Sequence, residues 1–481
     1  MFSDTQQRIR QLLAIIILAF VVLLAWQSYW QLWKSDWLFA QPLNRRLERL
    51  ERITPRGSIF DRTGAKLAWS EHGVRRYADA CATAGILGYH DAVYKASRVE
   101  SEWNMELSGV ARPFSAVAVQ RLLTNEKPCG NDLLLTLDLH LQQAACAALG
   151  TRRGAVVMLD PKTGGILTLA TYPTYNPETL RNDFPGLNSA TDGPLRNRAV
   201  QDVYPPGSTM KLVTASAALM NGIDPATRYT CTGKTHAFGV NITDYHGEAH
   251  GSVNMTTALA KSCNNYFAHI AANLSQAALF TTAENFGFGQ RWWLRALADP
   301  RMLPMGVAKS SLAPDMTKDI SQGERAHMGF GQSTVVATPL QMAMVSAAIA
   351  NDGTLMAPFL VQAVRKGGTT RTLSTFSSTP IGYPLNKETA TIVASMMRQV
   401  VRRGTAAGAD VAGITVYGKT GTAQQEGGDD HAWFIGFAER KSPTGPQRIA
   451  FAVLIERGGT GGRIAVPVAR QILQHWATIE E

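Results

Sequence analysis

The sequence predicts an α+β protein: a central antiparallel sheet flanked by helices, preceded by a single N-terminal transmembrane helix and a small, mostly β segment. Three observations carry this expectation. Leu12–Trp26 is an uncharged apolar run, continued by Tyr29, Trp30, Leu32 and Trp33, and about 20 residues suffice to cross a bilayer as a helix. Gly154–Asp160 and Gly165–Ala170 read as two strands around the tight turn Pro161-Lys-Thr-Gly164. Strand-like segments return at Ile414–Tyr417, His431–Ala438 and Ile449–Glu456, after Ala-rich helical segments over 208–350 and before a last helix near Val466–Trp476. Strands at both ends of a helical middle imply that the N- and C-terminal strands pair and carry helices on their faces.

Taken in order, residues 1–11 form a short tail and 12–33 the anchor. The Trp/Tyr cluster at the end of the anchor suits a membrane interface. Gln27–Trp33 offers no small-x-small cleavage site, so the anchor is read as uncleaved. Arg8 and Arg10 on one side nearly balance Lys34, Arg45 and Arg46 on the other, so charge alone does not orient it. Residues 34–150 mix short strand-like runs with turns. Within them Asp61-Arg-Thr-Gly64 reads as a turn between strands, and Asp138 as the N-cap of a helix running to Leu149. Residues 151–481 hold the sheet and its helices.

The chain has 481 residues, enough for two or three domains. Its net charge of +10 admits anionic lipid or anionic lipid-linked glycan precursors. Nucleic acid is set aside, because no basic-aromatic reader motif is present. The five cysteines show no C-x-x-C pair and no zinc spacing. Cys81 and Cys129 form one conceivable bridge, and the other cysteines read as buried small hydrophobes.

The chemistry starts at Val203-Tyr-Pro-Pro-Gly-Ser-Thr-Met-Lys-Leu-Val-Thr214. Two prolines hold the approach extended and Gly207 lets the backbone turn closely. Ser208 and Lys211 then stand three residues apart at the head of an apolar helix, on one face. A buried lysine loses hydration and becomes a neutral base, able to take the serine's proton. A lone Ser-x-x-Lys is more often a cap and a surface charge. Two further stretches change that balance: Lys261-Ser-Cys-Asn264 between helical runs, and Tyr417-Gly-Lys-Thr-Gly-Thr-Ala423 before a strand. Lys162-Thr-Gly164 precedes the serine and reads as a hairpin tip without a catalytic role. His431 reads as a structural or rim residue and Cys263 as a packed thiol.

In this order, Ser-x-x-Lys, Ser-x-Asn and Lys-Thr-Gly-Thr resemble the motifs of the penicilloyl-serine transferase superfamily across roughly Gly154 to Trp476, with Ser-Cys-Asn in place of Ser-Asp-Asn. Arg56-Gly-Ser-Ile-Phe-Asp-Arg-Thr-Gly-Ala-Lys-Leu-Ala68 resembles the signature of class B penicillin-binding proteins, the monofunctional D,D-transpeptidases of peptidoglycan synthesis. Met328–Ala343 is similar to a further stretch of that family.

The resemblance implies a pedestal over 34–150 and a penicillin-binding transpeptidase domain over 151–481. It implies that Ser208 attacks the penultimate D-Ala carbonyl of a stem peptide and that Lys211 is the base. Ser262 would pass the proton to the leaving amine, Asn264 orient Lys211 and the substrate amide, and Lys419 shape the electrostatics. Thr420, Gly421 and Thr422 would receive the substrate carboxylate, and the N–H groups of Ser208 and Thr422 form the oxyanion hole. No metal or cofactor is required.

Implied partners are peptidoglycan stem peptides on lipid-linked precursor strands, β-lactams as inhibitors, and a polytopic polymerase of the shape, elongation, division and sporulation (SEDS) family. Such a substrate lies outside the bacterial cytoplasmic membrane, which places the catalytic region there and the short tail inside. Two other readings stand beside this one. One is a D,D-carboxypeptidase or β-lactamase, in which water replaces the acceptor amine. The other is a binding scaffold or β-lactam sensor that activates a polymerase.

Overall fold

The computed structural model describes residues 2–34, 54–109, 129–289, 299–424, 429–443 and 445–479. Its first helix, Phe2–Ser28, continues as a π-helical turn over Tyr29–Trp33. The stretch Gln6–Gln31 is long and apolar enough to span a membrane, and none of its apolar window is buried among the described residues. Together with the relatives reported below, it fits a single-pass membrane anchor. The helix begins ahead of the apolar run because the polar residues before Leu12 can extend it into water.

A five-stranded antiparallel sheet forms the centre of the larger region, in the order Ile414–Ala423, His431–Arg440, Gln447–Ile455, Gly154–Leu159, Ile166–Tyr172. The expected meeting of the two chain ends occurs where Ala450 faces Leu159 and Ile455 faces Gly154. Gly154–Leu159 is buried throughout, as are the first eight residues of His431–Arg440. Strands buried on both faces need apolar side chains on both, which explains why these runs lack polar alternation. Two groups of helices cover them. Leu139–Leu149 packs with Gly461–Thr478, and Pro339–Ala350 packs with Lys387–Arg403. Every residue of Pro339–Ala350 is buried, with Thr338 capping its start by accepting from Gln341 N.

A second sheet has six strands, ordered Thr372–Thr375, Val361–Arg365, Asp132–Leu135, Ile59–Phe60, Lys66–Glu71, Val74–Tyr77. Four strands come from before residue 150 and two from beyond residue 360, so the chain returns late to complete it. The Arg56–Ala68 stretch is built around buried groups here. Asp61 Oδ1 accepts from Thr63 N and Ala65 N to shape the turn, while Oδ2 accepts from Leu139 N. A Cβ on Gly57 would stand 1.9 Å from Asn131 O, which leaves room for glycine alone. Glu100, fully buried, accepts from Arg56 Nε at 2.8 Å and Arg75 Nε at 2.7 Å. Burial pushes its pKa up, but the two guanidiniums outweigh that and hold it at about 2.

Lys162 and Thr163 form the tip of the Gly154–Tyr172 hairpin, their N–H groups held by Asp160 Oδ1. Cys129 carries a free thiol, so the conceivable bridge to Cys81 is not formed; the Cys81 side chain lies outside the described residues.

Candidate active site

Ser208 lies in a 3₁₀ turn, Gly207–Met210, that leads into the helix Lys211–Met220. The sequence placed both residues on an α-helical turn; the tighter 3₁₀ geometry brings positions i and i+3 more nearly into line. Gly207 adopts φ +53°, and a Cβ there would stand 2.7 Å from Thr422 O. Glycine therefore allows both the left-handed turn and the approach of the neighbouring strand.

Lys211 is completely buried. Its Nζ lies 3.0 Å from Ser208 Oγ, 2.6 Å from Ser262 O, 3.2 Å from Ser262 Oγ and 2.7 Å from Asn264 Oδ1. Burial pushes this amine down to about 7, against the opposing influence of Cys263, Asp244 and Cys231. A neutral amine has two N–H donors and one lone pair. The two carbonyl acceptors, Ser262 O and Asn264 Oδ1, can take the donors, leaving the lone pair for the Ser208 hydroxyl proton. This arrangement suits a general base.

Ser262 closes the helix Met255–Lys261 in the left-handed conformation, φ +60°. A β-carbon makes this region costly, by about 1–3 kcal/mol at functional sites. Cys263, rather than Ser262, caps the next helix, Asn264–Asn273, its Sγ accepting from Tyr266 N. The abrupt reversal between the two helices points Ser262 O and Asn264 Oδ1 at the same amine. Asn264 is fixed from below: Asp244 Oδ1 accepts from its backbone N, and its Nδ2 donates to Thr243 O at 2.8 Å.

Lys419 is also fully buried and donates to Ser262 Oγ at 2.9 Å and Thr420 O at 2.8 Å. Burial, and then the adjacent Lys211 charge, lower its pKa well below the usual lysine range. Ser262 Oγ thus bridges the two lysines. Lys419, Thr420, Gly421 and Thr422 lie on Ile414–Ala423, the edge strand of the five-stranded sheet. An edge strand pairs on one side only, so its other side is open to an extended ligand. This strand packs directly on Gly207–Met210. Thr420 Oγ1 hydrogen-bonds to Thr405 Oγ1.

All eight candidate residues thus come together. Sequence reasoning missed Thr405, which follows the helix Lys387–Arg403, and Asp244, which follows the strand Val240–Thr243; neither sits in a motif that could have marked it. His431 pairs with Ala423, four positions along the edge strand from Lys419, which pairs with Ile435. Its Nδ1 accepts from Arg457 N at 3.1 Å, and its ring packs edge-on against Tyr204. Donors suited to a metal ion gather beneath Asn264, at Cys231, Asp244, His250 and Cys263.

Residues 154–474 match the penicillin-binding protein transpeptidase domain. The chain is 31% identical to the peptidoglycan D,D-transpeptidase PbpA of Mycolicibacterium smegmatis, across 96% of this chain and 97% of that protein. It is 34% identical to the peptidoglycan D,D-transpeptidase MrdA of Acinetobacter baumannii, across 72% of this chain and 54% of that protein. Among solved structures, the ceftriaxone acyl-enzyme complex of penicillin-binding protein A from M. tuberculosis superposes with a TM-score of 0.79. It is 28% identical and covers 89% of this chain and 99% of its own. Pseudomonas aeruginosa PBP2 superposes with a TM-score of 0.71 at 29% identity, covering 89% and 97%. The chain belongs to the penicillin-binding protein transpeptidase family.

Proposed function

We propose that this member of the penicillin-binding transpeptidase family is a peptidoglycan D,D-transpeptidase working through an acyl-serine intermediate and blocked covalently by β-lactams. The observation that carries the reading is the fully buried Lys211 amine, 3.0 Å from Ser208 Oγ and held by Asn264 Oδ1 and Ser262 O. Lys211 takes the hydroxyl proton as Ser208 Oγ attacks the penultimate D-Ala carbonyl carbon. The C–N bond of the tetrahedral intermediate then breaks, and the terminal D-Ala leaves with a proton passed through Ser262. An acceptor amine attacks the resulting ester, forms the cross-linking amide and returns the proton to Ser208.

The backbone N–H groups of Ser208 and Thr422 form the oxyanion hole, each worth about 3 kcal/mol in the transition state. Lys419 sets the electrostatics, and Thr420, Gly421 and Thr422 receive the substrate carboxylate, with the donor strand laid along the edge strand.

Residues 1–11 are the cytoplasmic tail, 12–33 the anchor, 34–150 the pedestal and 151–481 the transpeptidase domain. The catalytic region faces the extracytoplasmic side of the bacterial cytoplasmic membrane, where the anchor and pedestal meet a SEDS-family polymerase.

Labelling with a fluorescent penicillin followed by peptide mapping tests the reading. The adduct is expected on Ser208, and absent from Ser208→Ala and Lys211→Ala. Steady-state turnover of a chromogenic cephalosporin in place of a long-lived adduct would instead indicate a hydrolase. Full support of wall growth by Ser208→Ala would indicate a scaffold.

A further inference from the structure

We infer that Lys261, Arg402, Arg403 and Arg463 form a cationic collar beside Thr420 that binds a second anionic group of the substrate, a carboxylate, on the side from which the terminal D-Ala departs. Resting on the transpeptidase reading, in which Thr420 receives the first carboxylate, it adds a further charged group that the same site selects. The four residues come from three helices whose ends meet around Thr405. Thr405 is exposed, and its hydroxyl hydrogen-bonds to that of the buried Thr420. Arg402 and Arg403 end the helix Lys387–Arg403, just ahead of Thr405. Thr405 N donates to Ala260 O, next to Lys261 in the last turn of Met255–Lys261. A Cβ on Gly462 would stand 2.6 Å from Thr405 O, so the first turn of Gly461–Thr478, with Arg463, closes the third side. That turn also reaches the edge strand, since a Cβ on Gly461 would stand 2.6 Å from Gly421 O.

The charges of the collar are not used up within the protein. All four side chains are exposed, and none forms an ion pair among the described residues. Asp410, the acid nearest in sequence to Arg403, is held by Arg398. Lys261, Arg402 and Arg403 stand in last turns, where the helix dipole favours a cation, so helix stability alone accounts for them. Arg463 is different. It stands in a first turn that has no acidic residue and no side-chain cap, where the dipole disfavours a cation. Helix stability does not explain that choice, and a negative ligand does. Like charges gathered at one spot repel each other, and an anion among them relieves the repulsion. Four cations are more than one carboxylate balances, which points to a ligand with a further negative charge. Guanidinium groups suit a carboxylate, which they can grip through two parallel hydrogen bonds.

The carboxylate received by Thr420 belongs to the terminal D-Ala, so the collar flanks the leaving group and not the acyl part of the donor. By microscopic reversibility the acceptor amine enters where the leaving amine departs. The collar therefore lies on the path of the acceptor. It favours an acceptor that carries a carboxylate beyond the one that takes the place of the D-Ala carboxylate. The collar acts through charge on encounter and binding, and takes no part in proton transfer.

Three cephalosporins with one shared acyl side chain test the collar on the full-length protein in detergent. On the ring carbon beside the one bearing the carboxylate, ceftriaxone carries an anionic group, cefotaxime a neutral one and cefepime a cationic one. Their rings differ in intrinsic reactivity, so the decisive quantity is the change in the ceftriaxone-to-cefepime ratio of second-order acylation rates at Ser208, with cefotaxime falling between. Raising salt from 0.01 M to 1 M shortens the screening length from about 30 Å to about 3 Å and is expected to lower that ratio about tenfold. This arm needs no variant and so does not depend on how a variant folds. Arg402→Gln, Arg403→Gln and Arg463→Gln combined are expected to lower the low-salt ratio by a similar factor, through the binding step and not through the limiting first-order rate. Arg62→Gln, Lys162→Gln and Lys441→Gln combined remove the same charge from exposed turns outside the collar and are expected to preserve the ratio, which separates the collar from the net charge of +10. In transfer from a thioester donor at low salt, D-aspartate is expected to be a better acceptor than its uncharged isostere D-asparagine, and to lose that advantage in the collar variant. A ratio indifferent to salt, or lowered equally by both sets of substitutions, would overturn the collar. Equal transfer to D-aspartate and D-asparagine would overturn its role toward the acceptor. Transfer to neither, with Ser208 still acylated by the cephalosporins, would overturn the transpeptidase reading, while the cephalosporin ratio still decides on the collar.

Discussion

Lys211 Nζ stands 3.0 Å from Ser208 Oγ with no solvent exposure of its own. Besides the serine, the amine has two carbonyl acceptors, Ser262 O and Asn264 Oδ1, and Ser262 Oγ at 3.2 Å, so its lone pair is directed by its surroundings rather than by chance. Lys211→Ala is expected to slow acylation by penicillin about 10²–10⁴-fold, the usual range for loss of a positioned base. Stopped-flow acylation, with thermal melting to confirm the fold, checks this. Asn264→Ala is expected to act in the same direction with a smaller effect, since Ser262 O still holds the amine.

The same burial sets a pH dependence. With Lys211 lowered to about 7, the rate of acylation is expected to rise with pH through an apparent pKa near 7 and to level off above it. The groups that face this amine are Lys419, Asp244, Cys231 and Cys263. Stability follows a related rule. Between about 7 and the ordinary lysine range, the unfolded chain binds more protons than the folded one. Lys211 therefore makes folding more favourable as pH rises through that window and less favourable as it falls. Denaturant titrations at several pH values, set beside the rate profile, test both.

Gly207→Ala places a β-carbon at φ +53° and 2.7 Å from Thr422 O. The left-handed conformation alone costs about 1–3 kcal/mol, and the contact with Thr422 must be relieved by moving the edge strand. Both a lower melting temperature and slower acylation are expected. A melting shift with an unchanged acylation rate would show that the strand position does not matter to the nucleophile.

Glu100 sits far from this chemistry, fully buried between Arg56 and Arg75. Glu100→Gln leaves two guanidiniums without their anion and is expected to destabilise the fold by roughly 3–5 kcal/mol. The acylation rate of the protein that remains folded should not change. Because the Glu100 pKa is held at about 2, its contribution is present above the ordinary glutamate range and is lost as pH falls toward 2.

The main sheet and the eight candidate residues were legible in the sequence for a physical reason. Gly154–Leu159, His431–Ala438 and Ile449–Glu456 are apolar on both faces, as doubly covered strands must be, and their bounding turns carry glycine or polar runs. Ser208, Lys211, Ser262, Asn264 and Lys419 fall in short motifs whose local geometry fixes their direction. What stayed hidden depends on distant segments meeting. Thr405 acquires its neighbour only when the helix before it docks beside Ile414–Ala423. Asp244 gains its meaning only when its ribbon folds under Asn264. The strand Val361–Arg365 reads as any short apolar run, and nothing in it announces that its partner is Asp132–Leu135, more than two hundred residues earlier.

That last pairing bears on how the molecule can be handled. A chain trimmed to begin at residue 151 would keep Val361–Arg365 but discard Asp132–Leu135, baring a row of unsatisfied amide groups and apolar side chains. Clumping in solution is the ordinary fate of such a naked ribbon. The late return of the backbone also rivets the strands before residue 150 to the rest. A pull on the residues before 150 would therefore be felt across a shared sheet.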